Sequence, residues 1–183
     1  MITGIFDNLA IATKEKYQIK LRYDHPSRTS LSNSTGQDFL KELKKHNPDL
    51  RSHIDNYREF INLIYELREV TIHREGFGDI GYTHNTRFTW YFKINNDIVC
   101  SVKRCGDKLP FNESLSNWGI IKDPIFTLLE PFHFVKAAGM KLAVFSDGYL
   151  RLLGFSKFVD TLSPSDSYIR EMKMFEEYRL GTR

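Results

Sequence analysis

The chain has 183 residues, 41 % of them hydrophobic, with 26 Lys+Arg against 23 Asp+Glu for a formal net charge of +3. That length suits one domain with a sizeable apolar core, and a charged fraction of 27 % excludes an intrinsically disordered chain. Eleven Gly and six Pro exclude collagen-like and Pro-rich classes, no apolar run reaches the roughly 18 residues that span a bilayer, and +3 by itself implies no nucleic-acid surface.

The first segment, Met1-Ile2-Thr3-Gly4-Ile5-Phe6-Asp7, has neither a basic n-region nor a cleavage site, so no signal peptide is expected. Ile2, Ile5, Phe6, Leu9 and Ala12 recur at steps of three and four, which predicts a helix within 2–20. Residues 22–36 read as a polar loop. Ser34 or Thr35 is placed to cap a second helix carrying Phe39, Leu40 and Leu43. Asn47-Pro48 ends that helix and starts a third, because Asn is a good N-cap and Pro suits the first helical position. The third helix is predicted over about 48–74. At 100° per residue, Tyr57, Ile61, Ile64 and Ile72 fall within about 80° of Ile54, and Phe60 and Leu67 widen the arc. Arg68 lands near the middle of this arc, where a guanidinium needs a partner.

Gly76, Gly78 and Gly81 then break the helix. Phe88 to Ile94 alternates bulky and mixed residues, Asn95-Asn96-Asp97 is turn chemistry, and Ile98-Val99-Cys100-Ser101-Val102 is β-branched. Together they predict a β-hairpin over about 87–103. Residues 105–122 look irregular. Asp123-Pro124 repeats the helix-start signal. Ile125, Leu128, Leu129, Phe132, Val135, Gly139, Leu142, Ser146, Tyr149 and Leu153 then predict one long helix over about 124–154, bent at Pro131. Asp147-Gly148 competes as a hairpin turn, and the sustained stripe outweighs it. Ser163-Pro164 breaks the chain before a short amphipathic helix over 165–179. No repeat is visible. The expected fold is mainly α, a single domain over 1–183: a helical bundle with a β-hairpin inserted between its third and fourth main helices.

The two cysteines, Cys100 and Cys105, are too few for a disulfide framework, so a cytoplasmic chain is expected. Cys-x4-Cys lacks a second ligand pair at zinc spacing, and the two read as ordinary thiols. No metal and no cofactor is expected. The sharpest constellation is Leu67-Arg68-Glu69-Val70-Thr71-Ile72-His73-Arg74-Glu75-Gly76. A guanidinium can hold phosphate oxygens through two parallel charged hydrogen bonds and stays protonated at any working pH. An imidazole titrates near neutrality and can accept or donate a proton. In RNA the 2′-OH is a built-in nucleophile, so this pair suffices for phosphodiester cleavage without a metal.

Arg68-(Glu-Val-Thr-Ile)-His73, in the context Tyr65-Glu66-Leu67-Arg68, resembles the Arg-x4–6-His motif of the HEPN superfamily. The leading Phe6-Asp7-Asn8-Leu9-Ala10 helix, the Ser/Asn loop and the short second helix are similar in order. The resemblance is best over 57–76 and extends over 1–76 and 124–154; the hairpin lies outside it. It implies an α-helical ribonuclease of defence or toxin–antitoxin systems, acting on RNA as a homodimer whose Arg/His pairs face each other, with an antitoxin or defence-system partner. Arg68 and His73 would be catalytic, and Glu69, Arg74 and Tyr65 supporting. Glu69 departs from the Asn, Asp or His often found there. Its charge would weaken phosphate binding or hold Arg68 or His73 in place. It also favours the alternative, a non-catalytic module that binds a nucleotide, RNA or protein.

On a straight helix Arg68 and His73 stand about 140° apart. They meet only if the helix loosens near its end or a second chain completes the site. The plainer readings are an Arg68 paired with Glu66 or Glu130 and a His73 that complements a helix C-terminus. Lys41, Lys44, Lys45 and His46 read as a solvated helix face, with a phosphate backbone as the sharper alternative. Phe88, Trp90, Tyr91 and Phe92 either pack on the bundle or stack on bases. Gly76-Phe77-Gly78-Asp79 follows a helix rather than a strand and lacks the GK[ST] ending, so it is not a phosphate loop.

Overall fold

The computed structural model describes residues 2–22, 25, 28–73, 79–84, 87–108, 114–122, 124–125 and 127–155. In order these form α1 (Ile2–Lys16), α2 (Gln37–His46), α3 (Pro48–Asn56), α4 (Arg58–His73), β1 (Asp79–His84), β2 (Arg87–Ile94), α5 (Asn96–Lys108), a 3-10 turn (Leu115–Trp118), β3 (Ile120–Lys122), β4 (Thr127–Leu129) and α6 (Pro131–Leu152). The fold is mainly helical with a β insertion. The 165–179 helix and the glycine-rich residues 76–78 lie outside the described residues.

The core is an aromatic spine joining the helices. Phe6 of α1 meets the Phe60 ring of α4 edge-on at 6.0 Å and the Phe145 ring of α6 at 5.4 Å. Trp118 continues it, with centroids 6.5 Å from Phe60 and 5.9 Å from Phe134. Phe6, Phe60, Trp118 and Phe145 are almost wholly buried, and each contributes about 1.5–3 kcal/mol of transfer free energy.

Three predicted elements are corrected. The helix expected over 48–74 divides at Tyr57, which caps α3 with its N–H on the Ile54 carbonyl at 3.2 Å. Neither Gly nor Pro marks the break. It turns the Tyr57 ring onto Phe145, 5.4 Å away, and onto His53, 5.1 Å away, so tertiary packing decides it. The 98–102 strand is instead the buried face of α5. Asn95 accepts the Ile98 N–H at 3.0 Å, and Ile98, Val102 and Cys105 are buried at helical spacing. Strand β2 pairs backwards with β1, from Asp79↔Phe92 to His84↔Arg87, and the antiparallel sheet has the order β1-β2-β4-β3.

The third correction is the start of α6. Leu128 and Leu129 belong to β4, where Leu129 pairs with Phe92 and Ile120, and Ile125 is 78 % exposed. Glu130 is the N-cap, accepting the Phe132 and His133 N–H groups at 3.3 and 2.7 Å. Pro131 therefore opens the helix instead of bending it. Asp147-Gly148 is helical, as the stripe predicts. A Cβ on Gly148 would stand 2.5 Å from Cε1 of His53, whose ring stacks on Phe145 at 5.2 Å.

The N-cap of α2 is Gly36, not Ser34 or Thr35. Its N–H bonds the Ser32 carbonyl at 2.8 Å, and a Cβ there would strike the Ser30 and Ser32 carbonyls. The loop before it is not a solvated connection: Thr29, Ser30, Leu31 and Ser32 are buried. Leu31 anchors it in the core.

Candidate functional site

That loop, the middle of α4 and the start of α5 line a cleft of about 620 Å³. The loop contributes Ser32, Asn33 and Ser34. Helix α4 contributes Asn62, Tyr65, Glu66 and Glu69, and the α5 start contributes Asn95, Asp97 and Ile98. Three of these ten side chains are carboxylates, and none is Lys or Arg, so the lining is rich in hydrogen-bond acceptors.

The walls are tied together by side chains. Ser30 Oγ donates to Tyr65 Oη at 3.2 Å, and Tyr65 Oη donates to Asp7 Oδ1 at 2.6 Å. The Ser32 N–H bonds Ser30 Oγ at 3.1 Å, and the Ser34 N–H bonds Ser32 Oγ at 3.3 Å. The Asn33 amide, with its oxygen toward Arg58, accepts from Nη1 at 2.7 Å and Nε at 3.2 Å. Across the cleft Ser101 Oγ donates to Glu66 Oε2 at 2.6 Å while accepting from Arg104 at 2.7 Å. The cleft is thus a braced concavity between three segments of the chain.

Burial pushes the Tyr65 phenol above its ordinary value, and its bond to Asp7 adds to the rise; the positive charge of Arg68 acts the other way. The Tyr65 hydroxyl is neutral at working pH and already engaged, which makes it a strut of the wall. Arg68, three residues on, is exposed and does not line the cleft, whereas neighbouring Glu69 is exposed and does. An exposed Arg68 is not a buried structural cation.

The backbone of α4 runs as helix from Arg58 through His73, so the helix itself does not loosen before that residue. With Asn62 at zero, Glu66 stands at about 40°, Glu69 at about −20° and Tyr65 at about −60°. Position 73 falls at about 20°, on the cleft-lining arc, and Arg68 at about −120°, outside it. The side chain of His73 and the whole of Arg74 lie outside the described residues.

Sequence reasoning picked out Tyr65 and Glu69 but not Ser32, Asn33, Ser34, Asn62, Asn95 or Asp97 as site residues. A usable signal was present: Leu31 amid Ser30-Leu31-Ser32-Asn33-Ser34 marks a loop pinned to the core.

The other candidates have structural explanations. His46 stacks on Tyr17 at 6.0 Å, His53 Nε2 donates to the Phe145 carbonyl at 2.9 Å, and His133 bonds the Glu130 cap. Cys100 is exposed; Cys105 is buried, which pushes its thiol up to about 12. Phe92 packs against the core, and Trp90 is 50 % exposed. Among the described residues no group of three or more His, Cys, Asp or Glu is arranged to hold a metal ion, and no helix is long and apolar enough to cross a membrane. No protein family, curated protein or solved structure compared with the chain gives a match.

Proposed function

We propose that the chain is a metal-independent endoribonuclease of HEPN type, acting in the cytoplasm as a homodimer in a defence or toxin-like system. The observation that supports this reading is that α4, the helix that carries the Arg-x4-His segment, forms one wall of the cleft through Asn62, Tyr65, Glu66 and Glu69. Position 73 falls on the same arc of α4, and exposed Arg68 lies one turn beyond Tyr65.

In this mechanism Arg68 holds the non-bridging oxygens of the scissile phosphate and stabilises the charge that builds there. His73 accepts the proton of the 2′-OH as that oxygen attacks phosphorus, or donates a proton to the departing 5′-oxygen. The products are a 2′,3′-cyclic phosphate and a 5′-hydroxyl. Because Arg68 and His73 stand about 140° apart on a regular helix, a second chain is needed to bring one protomer's Arg to the other's His. The test is incubation of the purified protein with RNA in EDTA beside Arg68→Ala and His73→Ala. Cleavage by the wild type alone is expected. An equally inert set, or a requirement for metal, overturns the mechanism.

A second reading is favoured by the three carboxylates on the cleft wall. They disfavour seating a scissile phosphate in the cleft, which suits a non-catalytic module that binds a nucleotide, RNA or protein partner without cleaving it. RNA or nucleotide binding with no cleavage product is its signature.

A further inference from the structure

We infer that the cleft is a base-recognition pocket selective for guanine, with the attached phosphate kept outside it on the Arg68 side of α4. This rests on the reading of the site as an RNA site, and names the part of the RNA it selects.

The cavity itself carries the inference. At about 620 Å³ it lies within the range of small-molecule pockets and admits a nucleoside. The Tyr65 ring and Ile98 supply wall against which a flat base can lie. Glu66, Glu69 and Asp97 supply carboxylate acceptors, and none of the described lining residues is a cation that could receive a phosphate. Charge therefore sorts the nucleotide: the base enters and the anionic backbone stays out. Arg68, about 60° round α4 from Tyr65 and exposed, stands where that backbone would pass.

The donor pattern picks the base. Guanine alone among the RNA bases sets two donors side by side on its Watson–Crick edge, N1–H and N2–H2, matching the two oxygens of one carboxylate. Adenine and cytosine offer one exocyclic amine there, and uracil a single N3–H. Glu69 is exposed, lines the cleft and neighbours Arg68, so it is the specificity-determining carboxylate that best joins base to phosphate.

The test is a titration of the full-length isotope-labelled protein with guanosine, inosine, adenosine and, separately, spermidine, followed by backbone amide NMR. Guanosine is expected to shift the signals of Asn62, Ser34 and Asp97. Inosine lacks the N2 amine and is expected to bind about ten-fold more weakly, as expected for loss of a charged hydrogen bond. Glu69→Gln is expected to weaken guanosine by a similar factor and leave adenosine unchanged. Asp97→Asn, also exposed, serves as the second variant, with a smaller effect. Equal binding of all three nucleosides, no shift with guanosine, or shifts with spermidine alone overturns the inference. Guanosine binding without RNA cleavage would overturn the ribonuclease reading and leave the pocket standing. RNA cleavage with no guanine preference and no guanosine binding would do the reverse.

Discussion

Two regions of the molecule use polar side chains in opposite ways. Where α1, α2 and α6 end, basic residues gather: Lys14 and Lys16, Lys44, Lys45 and His46, and Arg151. Each stands in the last turn of its helix, where a positive charge complements the helix dipole. Lys16 donates to the Leu153 carbonyl, and Asn47 Nδ2 bonds Tyr17 Oη at 2.8 Å and the Leu152 carbonyl at 3.2 Å. At the cleft, by contrast, Asn62, Glu69 and Asp97 line a cavity. The lysine-rich end looks more like a nucleic-acid surface in sequence, yet its charges close helix ends. The acidic cleft attracts less notice and has the shape of a binding site. Position relative to helix termini and cavities separates charges that complete helix ends from charges that line a cavity, which composition cannot do.

Breaking the structural side should cost stability. Gly148→Ala has the largest expected effect, about 1–3 kcal/mol, because its Cβ must displace the His53 ring. In thermal denaturation that lowers the midpoint by several degrees, with guanosine affinity unchanged. Asn47→Ala should cost about 1–2 kcal/mol, since it removes the cap on the Leu50 N–H, 2.9 Å from Oδ1, together with both Nδ2 bonds. Urea denaturation reads this loss.

Tyr65→Phe belongs to both regions. It should cost about 1 kcal/mol at neutral pH by removing the bond to Asp7. Burial raises the phenols of Tyr65 and Tyr149 above the ordinary value of 10.0. The folded state therefore holds these protons more tightly than the unfolded state. Stability from this source is complete below pH 10 and falls as pH rises beyond it. Alkaline unfolding followed by circular dichroism should show the fall, and Tyr65→Phe should make it shallower. The smallest effect is expected of Lys45→Ala, within about 0.5 kcal/mol, because its pair with Glu42 is exposed.

Much of the helical framework is legible in the sequence, and the insertion is less so. The Asn47-Pro48 signal and the stripe through Leu142, Tyr149 and Leu153 read correctly because local chemistry and packing agree there. Ile98-Val99-Cys100-Ser101-Val102 reads as strand because β-branched residues favour sheets. Burial of Ile98, Val102 and Cys105 on one face overrides that preference. The same Asn95 that suggests a hairpin turn is a helix cap. The Asp123-Pro124 start signal lost to sheet pairing at Leu128 and Leu129. The break at Tyr57 is a tertiary effect with no local marker. At the site, the sequence offers Arg68-x4-His73 as candidate chemistry. The cleft was not legible, because residues 32–34, 62–69 and 95–98 meet only through the fold.

The most direct measurement of the central claim is the yield of 2′,3′-cyclic phosphate ends formed on RNA in EDTA, wild type against Arg68→Ala. Arg68 is exposed, so its replacement should leave the thermal midpoint nearly unchanged. The account predicts cyclic-phosphate ends from the wild type and at least about a hundred-fold fewer from the variant. No such ends from the wild type, or equal yields from both proteins, would contradict it.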